Sequence, residues 1–173
     1  MTGHERARAG GGHQAATPAT LALVAAGVAF RARGYAHDPG APAYGLEAAT
    51  ELGEAPERVF KTLIAATDLP GHKGLVVAIV PVNCQLDMKS LARHVHCKRA
   101  ELADPALAQR VTGYIVGGIS PIGQKTRLPT VLDSSALSHE MILVSGGRRG
   151  LDVELSPADL ILVTSATTAA VAR

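Results

Sequence analysis

The apolar positions of this chain fall into short runs separated by glycine- and proline-rich punctuation, and two of the runs are apolar on both faces of an extended chain. Leu75 to Val82 (LVVAIVPV) carries no polar side chain, the pattern of a strand covered on both sides. Arg58 to Thr67 (RVFKTLIAAT) comes close: Phe60, Thr62 and Ile64 fall on one face, Val59, Lys61 and Leu63 on the other. The turn DLPGHKG joins the two. Helices are announced by their ends. Thr17-Pro18 pairs an N-cap hydroxyl with a proline at the first helical position, and Gly27 supplies a stop. Tyr44 to Leu52 suits a short helix closed by Gly53, and Asp87 to His94 suits another. Ala103-Asp104-Pro105 opens a further helix, and Ser156-Pro157-Ala158-Asp159 reads as a capping box before the last one. Val28 to Tyr35, Thr130 to Leu132, Met141 to Val144 and Leu151 to Leu155 are the remaining strand candidates. Gly117 to Gly123 and Ser145 to Gly150 read as loops.

Strands and helices mix here without a strict βαβ rhythm, which predicts a single α+β domain over residues 17–173 with a curved, mixed sheet. The chain has 173 residues, enough for one real core. With 47% hydrophobic residues but only 3% aromatic and no Trp, that core must be built from Ala, Val, Leu and Ile. The net charge of +2 is compatible with a phosphate-bearing partner and too small to identify one. Residues Met1 to Ala16, polar and glycine-rich, read as a disordered leader, with an RNA-touching arm as the lesser alternative. They contain no apolar signal segment, and no apolar run is long enough to span a bilayer. A cytosolic protein without a membrane partner is expected, with Cys84 and Cys97 as free thiols.

Three places carry candidate chemistry. Lys61 sits in a strand with apolar residues on both faces, so its ammonium either reaches a polar cleft, where it can hold a phosphate or developing negative charge, or snorkels to water from a strand end. Gly117-Gly118-Ile119-Ser120-Pro121-Ile122-Gly123-Gln124-Lys125 lets a ligand approach the backbone, so that N–H groups at Gly117 and Gly118 can face an oxyanion, with Ser120 and Pro121 stiffening the loop. It matches neither phosphate-binding nor dinucleotide-binding glycine spacing. In Ser145-Gly146-Gly147-Arg148-Arg149-Gly150-Leu151-Asp152 the two arginines are placed for phosphates, a solvated hairpin being the alternative. His94, His96 and Cys97 lie too close in sequence to converge on one ion, and no second ligand pair is spaced for zinc, so no metal and no cofactor are expected. Cys84 has no identifiable His or Asp partner. His37 and Asp38 either line a pocket or form the turn before Pro39.

Taken together, Tyr35-Ala36-His37-Asp38, Gly45-Leu46-Glu47-Ala48-Ala49, Val59-Phe60-Lys61-Thr62-Leu63, Gly113 to Pro121 and Ser145 to Asp152 resemble the YbaK/EbsC family of free-standing editing proteins, relatives of the editing insertion of prolyl-tRNA synthetases. The resemblance implies a mixed, barrel-like sheet surrounded by helices and hydrolysis of mischarged aminoacyl-tRNA, with Cys-tRNA(Pro) as substrate. It also implies that the substrate's own thiol does the attacking, with no nucleophile from the protein. Lys61, Gly117 and Gly118 would form the catalytic wall, Tyr35, Asp152, Ser120 and Pro121 the substrate pocket, and Arg148 and Arg149 the phosphate contacts. Mischarged tRNA(Pro) is the implied partner, and prolyl-tRNA synthetase a candidate second one. A deacylase for alanyl-, seryl- or threonyl-tRNA, or a non-catalytic module binding tRNA or a synthetase, are the competing readings.

Overall fold

A computed structural model of the chain describes residues 16–41 and 43–173. The expected leader, apart from Ala16, lies outside the described residues. In chain order the elements are α1 (Pro18–Ala25), β1 (Arg31–Gly34), α2 (Tyr44–Leu52), β2 (Phe60–Thr67), β3 (Leu75–Pro81), α3 (Met88–Val95), β4 (Ala100–Leu102), α4 (Pro105–Thr112), β5 (Thr130–Asp133), β6 (Ile142–Arg148), β7 (Leu151–Leu155), α5 (Pro157–Thr164) and β8 (Thr167–Ala169). Among the described residues no helix is long and apolar enough to cross a membrane.

The helix ends follow the local chemistry. Thr17 and Thr20 cap each other's backbone N–H groups at the start of α1, and the Thr17 hydroxyl also donates to the Gly146 carbonyl, pinning the helix to β6. Gly27 and Gly53 stand at φ of +68° and +67°, which a side chain would strain. Asp104 and Ser156 accept the Leu107 and Asp159 amides at the starts of α4 and α5.

Five strands form a mixed sheet in the order β4-β2-β3-β5-β8, and β1-β7-β6 form an antiparallel one. In β3 the alternation is fully used. Leu75, Val77 and Ile79 enter the large core that also takes in Val144, Val153 and Leu160, while Val76, Ala78 and Val80 pack with Leu91 of α3 and Val131. The expected α+β class and mixed sheet are found, but the sheets do not close into a barrel. They meet at a parallel bridge between Val59 and Leu143. Farther along the edge of β2 opposite β3, pairing with β4 runs only from Ala65 to Thr67. Between those two points the outer edge of β2 has no strand partner among the described residues. That gap in the wall is where the site lies.

An ionic cluster holds the second sheet against the connection into β2. Arg33 donates to Glu54 and Glu154, each at 3.1 Å, and Arg58 to the same two carboxylates at 2.6 and 3.1 Å. Glu154 is 9% exposed, and its loss leaves Arg33 and Arg58 sharing Glu54 as their one remaining carboxylate among the described residues. Glu154→Ala is expected to cost about 1–3 kcal/mol in chemical denaturation, more than Glu154→Gln, which retains an acceptor.

Candidate active site

The open edge of β2 forms one wall of a cleft of about 390 Å³, closed by α2, the Val116–Gly117 loop, β4, β6 and β7. Tyr35, Lys61, Gly117 and Asp152, read separately from sequence, all line it, together with Tyr44 and Ser145. Lys61 is half-buried and stands in the lining of this cleft. The strand carries it beneath the first turn of α2, whose close approach depends on Gly45: a Cβ there would stand 2.5 Å from Val82 Cγ1. The Lys61 ammonium has no hydrogen-bond or ion-pair partner among the described residues, and burial lowers its pKa.

Asp152 lies on β7, opposite Ser145 on one side and Arg33 on the other. It is 5% exposed. Burial pushes its pKa up to about 7 against the pull of Arg33, whose guanidinium is engaged by the two glutamates. Tyr35 follows β1, its amide donating to the Gly150 carbonyl at 2.9 Å. Burial, with the charge of Asp152 behind it, pushes the phenol up to about 12, so it remains a hydrogen-bond donor at all physiological pH.

The two glycine motifs lock together. Arg149 donates from Nε and Nη2 to the Val116 carbonyl at 2.9 and 2.7 Å, and its guanidinium lies 4.8 Å from the centre of the Tyr44 ring. Gly117, at φ +87°, fits beneath this stack: a Cβ would meet Arg149 Nε at 2.9 Å and Tyr44 at 3.0 Å. A Cβ on Gly118 would stand 2.8 Å from the Arg148 Cα, so only glycine lets the two backbones touch. The Gly118 N–H, however, closes a turn onto the Ile115 carbonyl at 2.9 Å. Of the two oxyanion donors expected here, only the Gly117 N–H is left without a partner among the described residues.

Other expected positions are placed differently. Ser120 and Pro121 are buried behind the loop and are not in the cleft lining; the Ser120 hydroxyl accepts the Ile122 amide and its carbonyl accepts from Gln124. They support the wall and do not form it. Arg149 is taken up by Val116 and Tyr44, whereas Arg148 is exposed beside a shallower hollow that also contains Tyr35 and His37. His37 bonds Glu47 at 2.9 Å, and Glu47 also accepts the Asp38 amide, so these residues brace the turn into α2. Among the described residues no three His, Cys, Asp or Glu side chains cluster as metal ligands. Tyr44, Ser145 and Thr62 were not singled out by sequence. The scarcity of rings was the available signal: of five aromatic residues in the chain, Tyr35, Tyr44 and Phe60 line this one cleft.

Residues 39–162 match the family model described as the aminoacyl-tRNA editing domain. The Enterococcus faecalis protein EbsC, whose name describes a Cys-tRNA(Pro)/Cys-tRNA(Cys) deacylase, is 41% identical over 118 residues, 68% of this chain and 70% of that protein. The Escherichia coli protein named multifunctional Ser/Thr-tRNA deacylase ProXp-y is 30% identical over 119 residues, 68% of this chain and 71% of its own. Among solved structures, the hypothetical protein APE2540 superposes with a TM-score of 0.79 at 26% identity, covering 91% of this chain and all of that one. A structure described as a trans-editing enzyme for prolyl tRNA synthetase superposes at 0.78 and 24% identity, covering 90% and 95%, a likeness of fold. With Lys61, Gly117 and Asp152 all inside the matched span, the chain belongs to the aminoacyl-tRNA editing domain family.

Proposed function

We propose that this protein removes cysteine from mischarged tRNA(Pro) by positioning the aminoacyl ester for attack by its own thiol. The observation that carries this reading is the partnerless Lys61 ammonium in the same small cleft as the Gly117 backbone and the Asp152 carboxyl. Lys61 holds the phosphate or ribose end of the terminal adenosine. Asp152 and Tyr35 take the amino acid's ammonium group and the ribose hydroxyls. The Gly117 N–H points to the ester oxygen as negative charge develops, a contribution of about 3 kcal/mol when preorganised.

No His lines the cleft among the described residues, and the Ser145 hydroxyl accepts the Gly147 amide, with no hydrogen bond to Lys61 or Asp152 that would make it a nucleophile. Cys84, half-buried outside the lining, bonds Asn83. The cysteinyl sulfur of the substrate can instead add to its own carbonyl carbon. The ester C–O bond to the tRNA ribose then breaks, the thiol proton passes to the departing ribose oxygen, and the amino acid leaves as a cyclic thiolactone. Holding thiol and carbonyl in register supplies roughly 7–11 kcal/mol in favourable cases. Such chemistry also separates cysteine from proline, whose similar sizes a pocket resolves by only about 1–3 kcal/mol. A net charge of only +2 gives the chain little overall attraction for tRNA, which favours prolyl-tRNA synthetase as the partner that brings it.

Deacylation of cysteinyl-, alanyl-, seryl- and threonyl-tRNA(Pro) by the purified protein tests the assignment. Cysteine is expected to be released at least about tenfold faster than the others, with thiolactone as first product. Faster release of serine or threonine would instead place this chain with its Escherichia coli relative in specificity and rule out the thiol mechanism.

A further inference from the structure

Met88 to Arg99 contains four Lys and Arg residues and no Asp or Glu, in a chain whose net charge is +2. All four cations are exposed. Lys89 and Arg93 stand one turn apart on α3, and the chain then doubles back through Lys98 and Arg99 into β4. None of the four forms an ion pair among the described residues. Lys89, Lys98 and Arg99 converge on a groove of about 550 Å³ between α3 and the β4 edge.

The floor of this groove is preorganised. The Asp68 carboxylate accepts the backbone amides of Lys98 and Arg99 at 2.9 and 3.1 Å, which fixes the corner from which both side chains project and engages the acid nearest to them. Glu101 is the remaining acid in the lining. The groove adjoins the cleft through β4: Ala100 and Glu101 line the groove, and Leu102, the next residue, lines the cleft. From Arg99 to Leu102 the strand spans roughly 10 Å. Leu102 is 59% exposed, an apolar surface on the route between the two that suits the face of a nucleobase.

We propose that the α3–β4 groove is the docking site for the sugar–phosphate backbone of the tRNA acceptor end, which passes over Leu102 to deliver the aminoacylated terminus into the cleft. The proposal rests on the deacylase reading for what enters the cleft, and assigns the body of the RNA to a surface that shares no residue with the hollow beside Arg148. Arg and Lys side chains without carboxylate partners bind phosphates by releasing counterions, so the groove confers salt-sensitive, sequence-independent affinity.

The test compares the wild-type chain with Lys89→Ala/Lys98→Ala/Arg99→Ala, three exposed positions whose loss leaves the core intact. Two measurements are made: binding of uncharged tRNA(Pro) over a salt series, and hydrolysis of cysteinyl-adenosine, which is too short to reach the groove. The triple variant is expected to bind tRNA at least about tenfold more weakly, with the slope of log affinity against log salt reduced by roughly 2. Its turnover of cysteinyl-adenosine should equal that of the wild type. Unchanged tRNA affinity and slope would overturn the groove assignment, as would loss of turnover on the short ester in parallel with tRNA binding. Failure of the wild type to cleave either cysteinyl-tRNA or cysteinyl-adenosine would overturn the deacylase reading, while the binding arm would still decide the groove.

Discussion

Lys61→Ala should lower kcat/KM for deacylation by about 10²-fold and leave the protein at least as stable as the wild type. The two halves of this expectation come from one feature. An ammonium in a partly buried cleft without a counter-charge is held at a cost, which is why its pKa falls. That depressed value works against folding at neutral pH, where the group is charged, and the penalty fades only as pH rises toward the lysine range. Such a residue is retained for what it binds. A charge-assisted contact to a phosphate or ribose oxygen, made in a site shielded from water, is worth roughly 1.5–3 kcal/mol. Lys61→Arg is a sharper probe, because the broader guanidinium has to fit beneath the turn at Gly45, where the backbone already runs against Val82. It should restore little activity. Wild-type turnover in folded Lys61→Ala would remove the residue from the site, and a folding defect without a catalytic one would mean that it serves the strand.

Much of the fold could be read from chemistry at element ends. Thr17-Pro18, Gly53, Asp104-Pro105 and Ser156-Pro157 mark helix boundaries because the groups that satisfy a terminal turn lie next to it in sequence. β3 was legible because both its faces are apolar. β4 and β8 were not, since each is three residues long and is defined by the edge it joins, β2 or β5. β1 proved shorter than expected: Val28 and Phe30 look like strand residues because they pack on the large core, yet pairing with β7 begins at Arg31. Ser145 to Arg148, read as loop, continues β6 through an irregular register across its two glycines. In the site, Lys61 and Gly117 stood out by the chemistry of their own short motifs, whereas Tyr35 and Asp152 entered through the family resemblance. The lock between Arg149, Val116 and Tyr44 joins residues far apart in the chain, and no spacing encodes it. The gap in the sheet that forms the cleft is likewise a product of tertiary pairing, in which β2 finds β6 at one end and β4 at the other.

Asp152→Asn is expected to separate stability from function most clearly. The carboxyl titrates near pH 7 in the folded protein, against about 4 for an aspartate in an unfolded chain. The folded state therefore holds a proton that the unfolded state has lost, and stability falls as pH rises from about 4 to about 7, then levels off with the buried carboxylate charged. An amide of the same shape never pays this desolvation. The variant should gain on the order of 2–4 kcal/mol over the wild type at pH 8, the difference vanishing by pH 4. Activity should move the other way. An ionised Asp152 is what receives the ammonium group of the bound amino acid, so kcat/KM of the wild type should climb with pH through a midpoint near 7. The asparagine variant should lack that limb and run about 10–100-fold slower on its plateau, the worth of a hydrogen bond to a charged group. Denaturant titrations and deacylation rates over pH 5–9 on both proteins make the comparison. A variant that is no more stable at pH 8, or one that keeps the wild-type pH limb, would show that the buried carboxyl is neither the source of the strain nor the group that meets the substrate. A stable, slow, pH-independent variant would mean that the cleft keeps an unpaired acid at a cost in folding because its partner arrives with the substrate.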